Sequence, residues 1–371
     1  MKNTRIIALS LLNISLLILS ACNTQFGLKE ISEPVDIHSE HQAQYLADPK
    51  YDNIGKYSAY SANEGYANPL PVKLSWQGGS APYVLKISED AEMSNPLIIE
   101  VKDKSYDFYN PLLGQTYYWN VTSKNDTTET SRFTIKDNAP RNIYLDGVDN
   151  VRDLGGYTLS NGKKFKQGLL YRSAELNKNN ETSMNLLITG EGLETVEAFG
   201  IKTDIDLRRN YEKDGKVETS GIDQSPLGGS VNYVQAPMHY GGENFLENSD
   251  TTIDAMNKAS IKLVFETLAD RENLPAIFHC VQGKDRTGCI AYLIEALLGV
   301  DNNDIHRDYL FTNFSKSVGS ACKSDDIDKK YGLTINRVEG ETLSAKAYKY
   351  LNETLGISET VLDAVISNLS E

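Results

Sequence analysis

The feature that most constrains the fold of this chain is a short apolar segment that runs into a glycine-containing turn and then into a long apolar segment. Residues 276–278 are apolar, residues 279–288 read His-Cys-Val-Gln-Gly-Lys-Asp-Arg-Thr-Gly, and residues 289–300 have apolar side chains at helical spacing. Such a pattern predicts a buried strand that turns sharply into a buried helix. Cys280 and Arg286 stand at the two ends of this turn.

The turn predicts an anion site beside a nucleophilic cysteine. Gly283 and Gly288 allow the backbone to wind tightly, so that successive N–H groups point inward at the start of a helix, where anions bind. Arg286 offers a planar fork for two phosphate oxygens. Cys280 reacts as the thiolate, which a helix N-terminus and nearby cations stabilise. We therefore expect Cys280 to take a phosphoryl group, and water then to hydrolyse the phosphocysteine.

The remaining residues of the turn have candidate roles as well. The Thr287 hydroxyl is positioned to donate to the thiolate, and Lys284 adds a positive charge that suits a substrate with more than one phosphate. Asp285 is the candidate general acid, and a salt-bridged loop carboxylate is the alternative for it. The predicted phosphate-binding residues of the turn are Val281, Gln282, Gly283, Lys284 and Thr287.

The cysteine and the arginine of this turn are not sufficient by themselves to predict a phosphatase. The two residues occur at this spacing by chance, and a buried strand end with an incidental arginine is the structural alternative. A nucleotide-binding Walker loop is excluded, because Gly-x4-Gly-Lys-Ser/Thr is absent here. A zinc site is disfavoured, because no second Cys/His pair stands at ligand spacing. No metal or cofactor is expected.

Four sequence blocks resemble, in order, those of a bacterial tyrosine phosphatase family typified by a secreted mycobacterial enzyme and a listerial lipid and tyrosine phosphatase. Residues 150–156 are similar to its Asn-x-Arg-Asp-Leu-Gly-Gly opening, and residues 168–174 to its Leu-Tyr-Arg-Ser block. Residues 200–208 resemble its strand ending in Asp-Leu-Arg, and residues 279–288 resemble its His-Cys-x-x-Gly-Lys-Asp-Arg-Thr-Gly loop. The resemblance covers residues 141–371.

This resemblance implies a cysteine phosphatase fold with Cys280 as nucleophile, Arg286 as phosphate clamp and Asp285 as general acid. It also implies relaxed specificity, with phosphotyrosine first and phosphoserine, phosphothreonine or phosphoinositides as further substrates. A phosphoinositide phosphatase and a non-catalytic phosphate-ester binding protein are the alternative functions.

Three charged residues in the earlier blocks are further candidates for the site. Arg152 and Arg172 either order the phosphate loop and contact substrate, or pair with carboxylates of the core. Asp206 ends a predicted strand, where the sites of α/β folds gather. We interpret Asp206 as a residue that orders the site, and it is the rival of Asp285 for general acid.

The pattern of residues 141–371 predicts an α/β domain with a central, mostly parallel sheet flanked by helices. Residues 201–207 are predicted as a strand, residues 209–250 as a long lid-like loop, and residues 319–337 as a polar loop. The predicted helices are residues 191–199, 251–269, 301–314, 345–355 and 359–369.

Residues 66–138 predict a separate all-β sandwich, because short alternating segments are divided by turn residues at regular spacing. Residues 113–119 resemble the turn and strand of fibronectin type III-like modules. Trp76 and Trp119 are predicted to pack in its core, and a carbohydrate-binding platform is the alternative. Residues 136–141 are predicted to form a hinge before the catalytic domain.

The N-terminus predicts export and lipid anchoring. Residues 1–21 combine a charged start with an apolar run, which is typical of a cleaved signal peptide. Residues 19–22, Leu-Ser-Ala-Cys, resemble a bacterial lipobox, which implies a diacylated Cys22 and an outer-membrane location in a diderm cell. A plain secretory signal is the alternative. Residues 22–65 are predicted to be a polar tether.

Charge and cysteine content limit the partners. The net charge of −14 argues against nucleic acid and against electrostatic attraction to anionic membranes. Three cysteines remain after Cys22, and an odd number argues against a disulfide scaffold. The expected partners are phosphotyrosine proteins or phosphoinositides, and a membrane through the lipidated Cys22.

Overall fold

The computed structural model describes residues 25–57, 68–124, 126–179, 183–211, 217–218, 222–239, 244–316 and 318–371. The predicted signal peptide and Cys22 lie outside these residues, and so do residues 58–65 of the predicted tether. Within the described ranges, every helix is too short or too polar to cross a bilayer.

The N-terminal half contains two antiparallel sheets. The first has the order β1-β2-β5, with β1 at Gly27–Leu28, β2 at Val72–Gln77 and β5 at Ser105–Phe108. The second has the order β4-β3-β6-β7, with β8 also paired to β6. Its strands are β3 Tyr83–Ser88, β4 Leu97–Val101, β6 Thr116–Ser123, β7 Asp126–Thr127 and β8 Ser131–Thr134.

These two sheets share one apolar core. Alternate residues of β2, β3 and β6 are buried, as expected for strands with one covered face. Trp76 and Trp119 are 5% and 0% exposed, and both belong to this core. Neither tryptophan therefore presents a surface platform for a carbohydrate.

Part of the segment predicted as a tether is folded against the C-terminal half. Helix α1, Glu40–Ala47, begins at a Ser39 capping box, and a 3-10 turn follows at Tyr51–Lys56. Arg307 donates hydrogen bonds to the carbonyl oxygens of Tyr45 (3.2 Å) and Asp48 (2.6 Å). Periodicity did not indicate this helix, because it is short and mostly polar.

The predicted hinge ends in a buried contact between the two halves. Arg141 is 2% exposed, and its Nη1 lies 2.6 Å from Oδ2 of Asp153. The same guanidinium donates to the carbonyl oxygens of Pro111 (3.0 Å) and Asn110 (2.7 Å). Arg141 therefore connects the β-rich half to the C-terminal half.

The C-terminal half is built on a six-stranded sheet of order β15-β12-β16-β11-β10-β9. The four strands from β15 to β11 are parallel, whereas β10 and β9 are antiparallel at one edge, so the sheet is mixed. The strands are β9 Arg141–Asn142, β10 Arg152–Asp153, β11 Leu170–Ser173, β12 Thr203–Asp206, β15 Asn232–Gln235 and β16 Ala276–His279. A separate hairpin joins β13 Asn210–Tyr211 to β14 Val217–Glu218.

Helices cover both faces of this sheet. Phe278 of β16 packs into the larger core cluster, and the adjacent Ile277 packs into a second cluster on the other face. The helices are α2 Gly190–Phe199, α3 Thr251–Ala269, α4 Asp285–Leu298, α5 Asn302–Phe311, α6 Leu333–Arg337, α7 Leu343–Lys349 and α8 Glu359–Leu369. Every residue of α4 after Asp285 is buried, so α4 is the central helix of this half.

Several short elements, the β13–β14 hairpin among them, lie in segments that were predicted to be loops. Strand β15 falls within residues 209–250, and a π-helical turn at Asp328–Gly332 with α6 falls within residues 319–337. Only tertiary pairing reveals β15, because four residues are too few for a readable alternation. Helix α2 ends at Gly200 in the left-handed conformation, as its sequence predicts.

The parallel strands end at one level. Ser173, His279, Asp206 and Gln235 pair across neighbouring strands as the last residues of β11, β16, β12 and β15. The segments that follow these strands therefore meet at the carboxyl edge of the sheet, where α/β proteins place their ligands.

Candidate active site

The loop between β16 and α4 lies at the centre of this carboxyl edge. Cys280 directly follows the strand, and Arg286 is the second residue of the helix. Both are 3% exposed. Gly283 has a φ of +65°, and a Cβ there would lie 2.6 Å from the carbonyl oxygen of Ser173. Only glycine therefore fits this loop at its closest approach to β11.

We expect Gly283→Ala to cost more stability than Gly200→Ala and to abolish phosphate binding. Gly200 is a matched control, because its φ is +64° and no atom lies within 4 Å of its added Cβ. A left-handed alanine alone costs about 1–2 kcal/mol, whereas Gly283→Ala must also displace the loop. Denaturant unfolding and inhibition by inorganic phosphate would measure both effects. Equal costs with intact phosphate inhibition would contradict this account of the loop.

The carbonyl oxygens of residues 281–283 are all bound by the surrounding protein. The hydrogen bonds run from Glu175 N to Val281 O (3.1 Å), from Asn150 Nδ2 to Gln282 O (2.9 Å) and Gly283 O (3.2 Å), and from Arg172 Nη2 to Gly283 O (2.9 Å). These peptides are trans, so each following N–H points the opposite way. The N–H groups of residues 282–284 thus form a concave anion-binding surface.

The start of α4 adds donors to this surface. Its N-cap residue, Lys284, makes no side-chain capping hydrogen bond, so the first N–H groups of the helix are left for another acceptor. The Thr287 hydroxyl is fully buried and has no hydrogen-bond partner among the described residues, Cys280 included. The predicted bond from Thr287 to the sulfur is therefore not formed in this structure.

Basic side chains lie near Arg286. Its Nη1 lies 3.5 Å from the carbonyl oxygen of Met238, which brings it next to His239. Burial, together with the positive charges of Arg209 and Arg286, holds the pKa of His239 below its usual value. Three cationic or basic side chains, from the ends of β12 and β15 and from α4, therefore meet beside the loop.

Asp285, the predicted general acid, is held in place by an ion pair. Lys330 Nζ lies 2.7 Å from Oδ1 of Asp285 and 3.5 Å from Oδ2 of Asp326. Burial acts to lower the pKa of Lys330, but Asp285 and Asp326 raise it above its ordinary value. The Asp285 side chain is 25% exposed, so it is accessible from solvent. The salt-bridged alternative for Asp285 is thus also present in the structure.

Asp206, the other candidate for general acid, is fully buried and accepts hydrogen bonds from two side chains. Its carboxylate accepts from Arg208 Nε (2.9 Å), Arg208 Nη2 (2.8 Å) and the Tyr233 hydroxyl (2.8 Å). Burial acts to raise the pKa of Asp206, but His279 and Arg208 hold it below its ordinary value. A carboxylate that stays ionised and inaccessible is unsuited to donate a proton, so its geometry favours an ordering role.

Arg172 contacts the loop directly through the carbonyl oxygen of Gly283, and Arg152 contacts it through Asn150. Both arginines are 1% exposed, and both form an ion pair with Asp308 of α5. Arg152 Nε lies 2.9 Å from Oδ1 of Asp308, and Arg172 Nη1 contacts Oδ2. Both predicted roles for these residues are therefore partly present, because they pair with a core carboxylate and also support the loop. Contact of either side chain with substrate stays a prediction.

Lys284 and Gln282 contact the neighbouring loop at residues 318–323. Lys284 Nζ donates to the carbonyl oxygen (3.0 Å) and the hydroxyl (2.9 Å) of Ser320. Gly319 N donates to Oε1 of Gln282 (3.3 Å). Both described acceptors of Lys284 are neutral, so its buried charge is not cancelled by them.

The other described cysteines are buried and reduced, as is Cys280. Burial raises the pKa of the Cys289 thiol, and it raises that of Cys322 to about 12. Both side chains therefore remain neutral thiols.

A groove of about 860 Å³ lies at the opposite edge of the catalytic sheet. It is lined from both halves of the chain, including Gln115 and Asp137 from one and Lys202 and Leu274 from the other. Lys202 and Leu274 precede β12 and β16, so this groove is remote from Cys280. Its chemistry gives no reason to treat it as the reaction site.

Sequence reasoning missed three contributors to the site. Asp308, Asn150 and Lys330 support the loop or its acid, and no role was predicted for any of them, although Asn150 opens the Asn-x-Arg-Asp-Leu-Gly-Gly block. A buried arginine needs a carboxylate partner, which is the only general signal for Asp308. The sequence contains many carboxylates, so it does not say which one binds.

A sequence profile of the tyrosine phosphatase family matches residues 143–371. A Cupriavidus necator protein that carries the name of a tyrosine-protein phosphatase is 27% identical over 187 residues, which is 46% of this chain and 63% of that protein. A tyrosine-protein phosphatase of Nostoc commune is 29% identical over 133 residues, 33% of this chain and 44% of that protein. The chain therefore spans less than two thirds of the length of either relative.

A solved structure that matches part of the chain is the core catalytic domain of the S. cerevisiae PP-IP phosphatase Siw14 in complex with citrate. It is 17% identical, has a TM-score of 0.29, and the match covers 47% of this chain and 82% of that one.

Proposed function

Because this chain belongs to the tyrosine phosphatase family, we propose that it is a cysteine-dependent phosphatase that hydrolyses phosphotyrosine through a phosphocysteine intermediate. The observation that carries this proposal is the loop from Cys280 to Arg286, where one side of the backbone is bound by the protein and the other presents N–H groups. This arrangement suits a tetrahedral oxyanion beside a buried cysteine at a helix N-terminus.

In the first step, the Cys280 sulfur attacks phosphorus and the bond from phosphorus to the tyrosine oxygen breaks. Asp285 donates a proton to that departing oxygen. The loop N–H groups and Arg286 bind the three equatorial oxygens, where negative charge spreads in the transition state.

In the second step, water attacks the phosphocysteine. The bond from phosphorus to sulfur breaks, inorganic phosphate leaves, and the Cys280 thiolate is restored. Asp285, now a carboxylate, accepts the proton of the attacking water. The two steps consume one water and need no metal or redox partner.

Phosphoserine and phosphothreonine are further candidate substrates, and a phosphoinositide is the main alternative. The buried charge of Lys284, whose described hydrogen-bond acceptors are both neutral, favours a substrate with additional phosphates. The net charge of −14 opposes close approach to an anionic lipid surface. A phosphate receptor without turnover belongs to another functional class, and the candidate acid Asp285 beside Cys280 and Arg286 argues against it.

We also propose that the chain is a lipoprotein anchored in the cell envelope through diacylated Cys22, after removal of residues 1–21. The fibronectin type III-like sandwich of residues 66–138 would then be a spacer or docking module between the membrane and the catalytic domain of residues 141–371. The contacts of Arg141 with Asn110 and Pro111 support a rigid connection between these parts.

The purified chain is expected to release phosphate from a phosphotyrosine peptide faster than from an inositol phospholipid. An aryl oxygen is a better leaving group than an alkyl oxygen, and the acidic surface disfavours anionic vesicles. Phosphate release from both substrates over a range of salt concentrations would measure the preference. Turnover of the lipid alone would favour the alternative enzyme, and tight binding of both without turnover would favour the receptor.

A further inference from the structure

A buried cluster beneath the loop joins four residues from three separate parts of the sequence. Asp308 of α5 is 0% exposed and uses both carboxylate oxygens, one for Arg152 and one for Arg172. Arg152 also donates to Oδ1 of Asn150. We call Asn150, Arg152, Arg172 and Asp308 the Asp308 cluster.

Two members of the Asp308 cluster, Arg172 and Asn150, donate hydrogen bonds to carbonyl oxygens of the loop. Arg172 Nη2 lies 2.9 Å from the carbonyl oxygen of Gly283. Asn150 Nδ2 lies 2.9 Å from the carbonyl oxygen of Gln282 and 3.2 Å from that of Gly283. The cluster therefore determines how two successive peptide planes of the loop are rotated.

The rotation of these planes decides whether the loop attracts or repels an anion. With the carbonyl oxygens held by the cluster, the N–H groups of Gly283 and Lys284 point to the opposite side, because each peptide is planar and trans. A flip of either plane would place a carbonyl oxygen against the phosphate. The cluster thus keeps the donors oriented before the ligand arrives.

The charge of the cluster supports the same role. Burial acts to raise the pKa of Asp308, but Arg152 and Arg172 hold it below its ordinary value. Burial and the nearby Asp308 raise the pKa of Glu295 in α4 well above its usual range, although both arginines oppose the rise. Two guanidinium groups, one carboxylate and one neutral Glu295 therefore leave a net positive charge beneath the loop.

We propose that Asp308 is a positioning residue of the phosphate loop, acting through Arg172 and through Arg152 with Asn150 to keep the N–H groups of Gly283 and Lys284 directed at the bound phosphate. This inference rests on the proposed phosphatase function and assigns a role to a residue that does not touch substrate. Arg307, the preceding residue of α5, donates to the carbonyl oxygens of Tyr45 and Asp48, so α5 has a second set of contacts.

The test compares Asp308→Asn and Arg172→Lys with Arg141→Lys in the full chain. Arg141 is a matched control, because it is equally buried, pairs with the buried Asp153, and donates to carbonyl oxygens that belong to the β-rich half. Asp308→Asn turns one acceptor oxygen into a donor that faces a guanidinium. Arg172→Lys keeps the charge but loses the fork that reaches both Asp308 and Gly283.

The measurements are kcat, the inhibition constant of inorganic phosphate, and the thermal melting temperature. We expect both cluster variants to lose about 10- to 100-fold in kcat and in phosphate affinity, the range typical of residues that orient a primary ligand. Arg141→Lys is expected to lower the melting temperature but to leave kcat and the inhibition constant unchanged. A structural role alone would move only the melting temperature.

A folded Asp308→Asn or Arg172→Lys variant with normal kcat and normal phosphate inhibition would overturn the proposal, as would an equal loss in Arg141→Lys. Failure of the proposed function looks different, because the unmodified chain would then release no phosphate from any ester. Should Asp308→Asn not fold, Arg172→Lys decides the question by the same measurements.

Discussion

Cys280→Ser is expected to reduce phosphate release by about ten-thousandfold or more, the scale of effect seen when an enzyme nucleophile is removed. The sulfur of a cysteine is intrinsically a much stronger nucleophile than the hydroxyl oxygen of a serine. Phosphate binding should survive, because the loop N–H groups and Arg286 are unchanged. Phosphate release and inorganic phosphate affinity, measured on the same preparation, would separate the two properties.

Cys322→Ser is the matched control for this experiment. Cys322 is 3% exposed, as is Cys280, but burial raises the pKa of its thiol to about 12. It should therefore be chemically silent, and Cys322→Ser should retain most of the activity. Full turnover in Cys280→Ser, or its loss only in Cys322→Ser, would show that the phosphocysteine mechanism is wrong.

Asp285→Asn is expected to slow substrates by an amount that depends on their leaving group. Proton transfer to the departing oxygen contributes about 100- to 10,000-fold, and only a poor leaving group needs it. An alkyl phosphate should therefore lose most of that factor, whereas an activated aryl phosphate should lose little. The logarithm of kcat plotted against the leaving-group pKa should become steeper in the variant.

Asp326→Asn is the control for this second prediction. Asp326 also contacts Lys330, at 3.5 Å, but it lies outside the phosphate loop. Its replacement should change the ion pair without changing the dependence on leaving group. Equal slowing of alkyl and aryl substrates in Asp285→Asn would remove Asp285 from the acid role. Asp206 would be a poor replacement as general acid, because it is buried and paired with Arg208.

Local structure was predictable where short-range chemistry decides it. The strand, turn and helix around Cys280 follow from apolar runs that flank two glycines, and helix α2 ends at Gly200 because glycine accepts the left-handed conformation. The buried tryptophans of the β-rich half follow from strict alternation. These features depend on neighbours within a few residues, and a single sequence contains all of that information.

Elements without a strong local signal were not predictable. Strand β15 has four residues, and it is a strand because β12 offers a free edge of the right length. The folded part of residues 22–65 and the buried Arg141 depend on contacts with residues more than 25 positions away in the chain. Polar composition predicted a tether and a hinge. That prediction missed the folded parts, because composition carries no information about contacts with distant residues.

The sequence by itself determined the strand, turn and helix that present Cys280, the proposed nucleophile, and Arg286, the proposed phosphate clamp, because Gly283 and the flanking apolar runs act through local backbone geometry. Only the tertiary structure decided what holds that loop in its binding conformation. Asp308 is 156 residues from Arg152 and 136 residues from Arg172. Burial makes a partner for each guanidinium obligatory, but the choice among many carboxylates is made by the packing of α5 against the sheet.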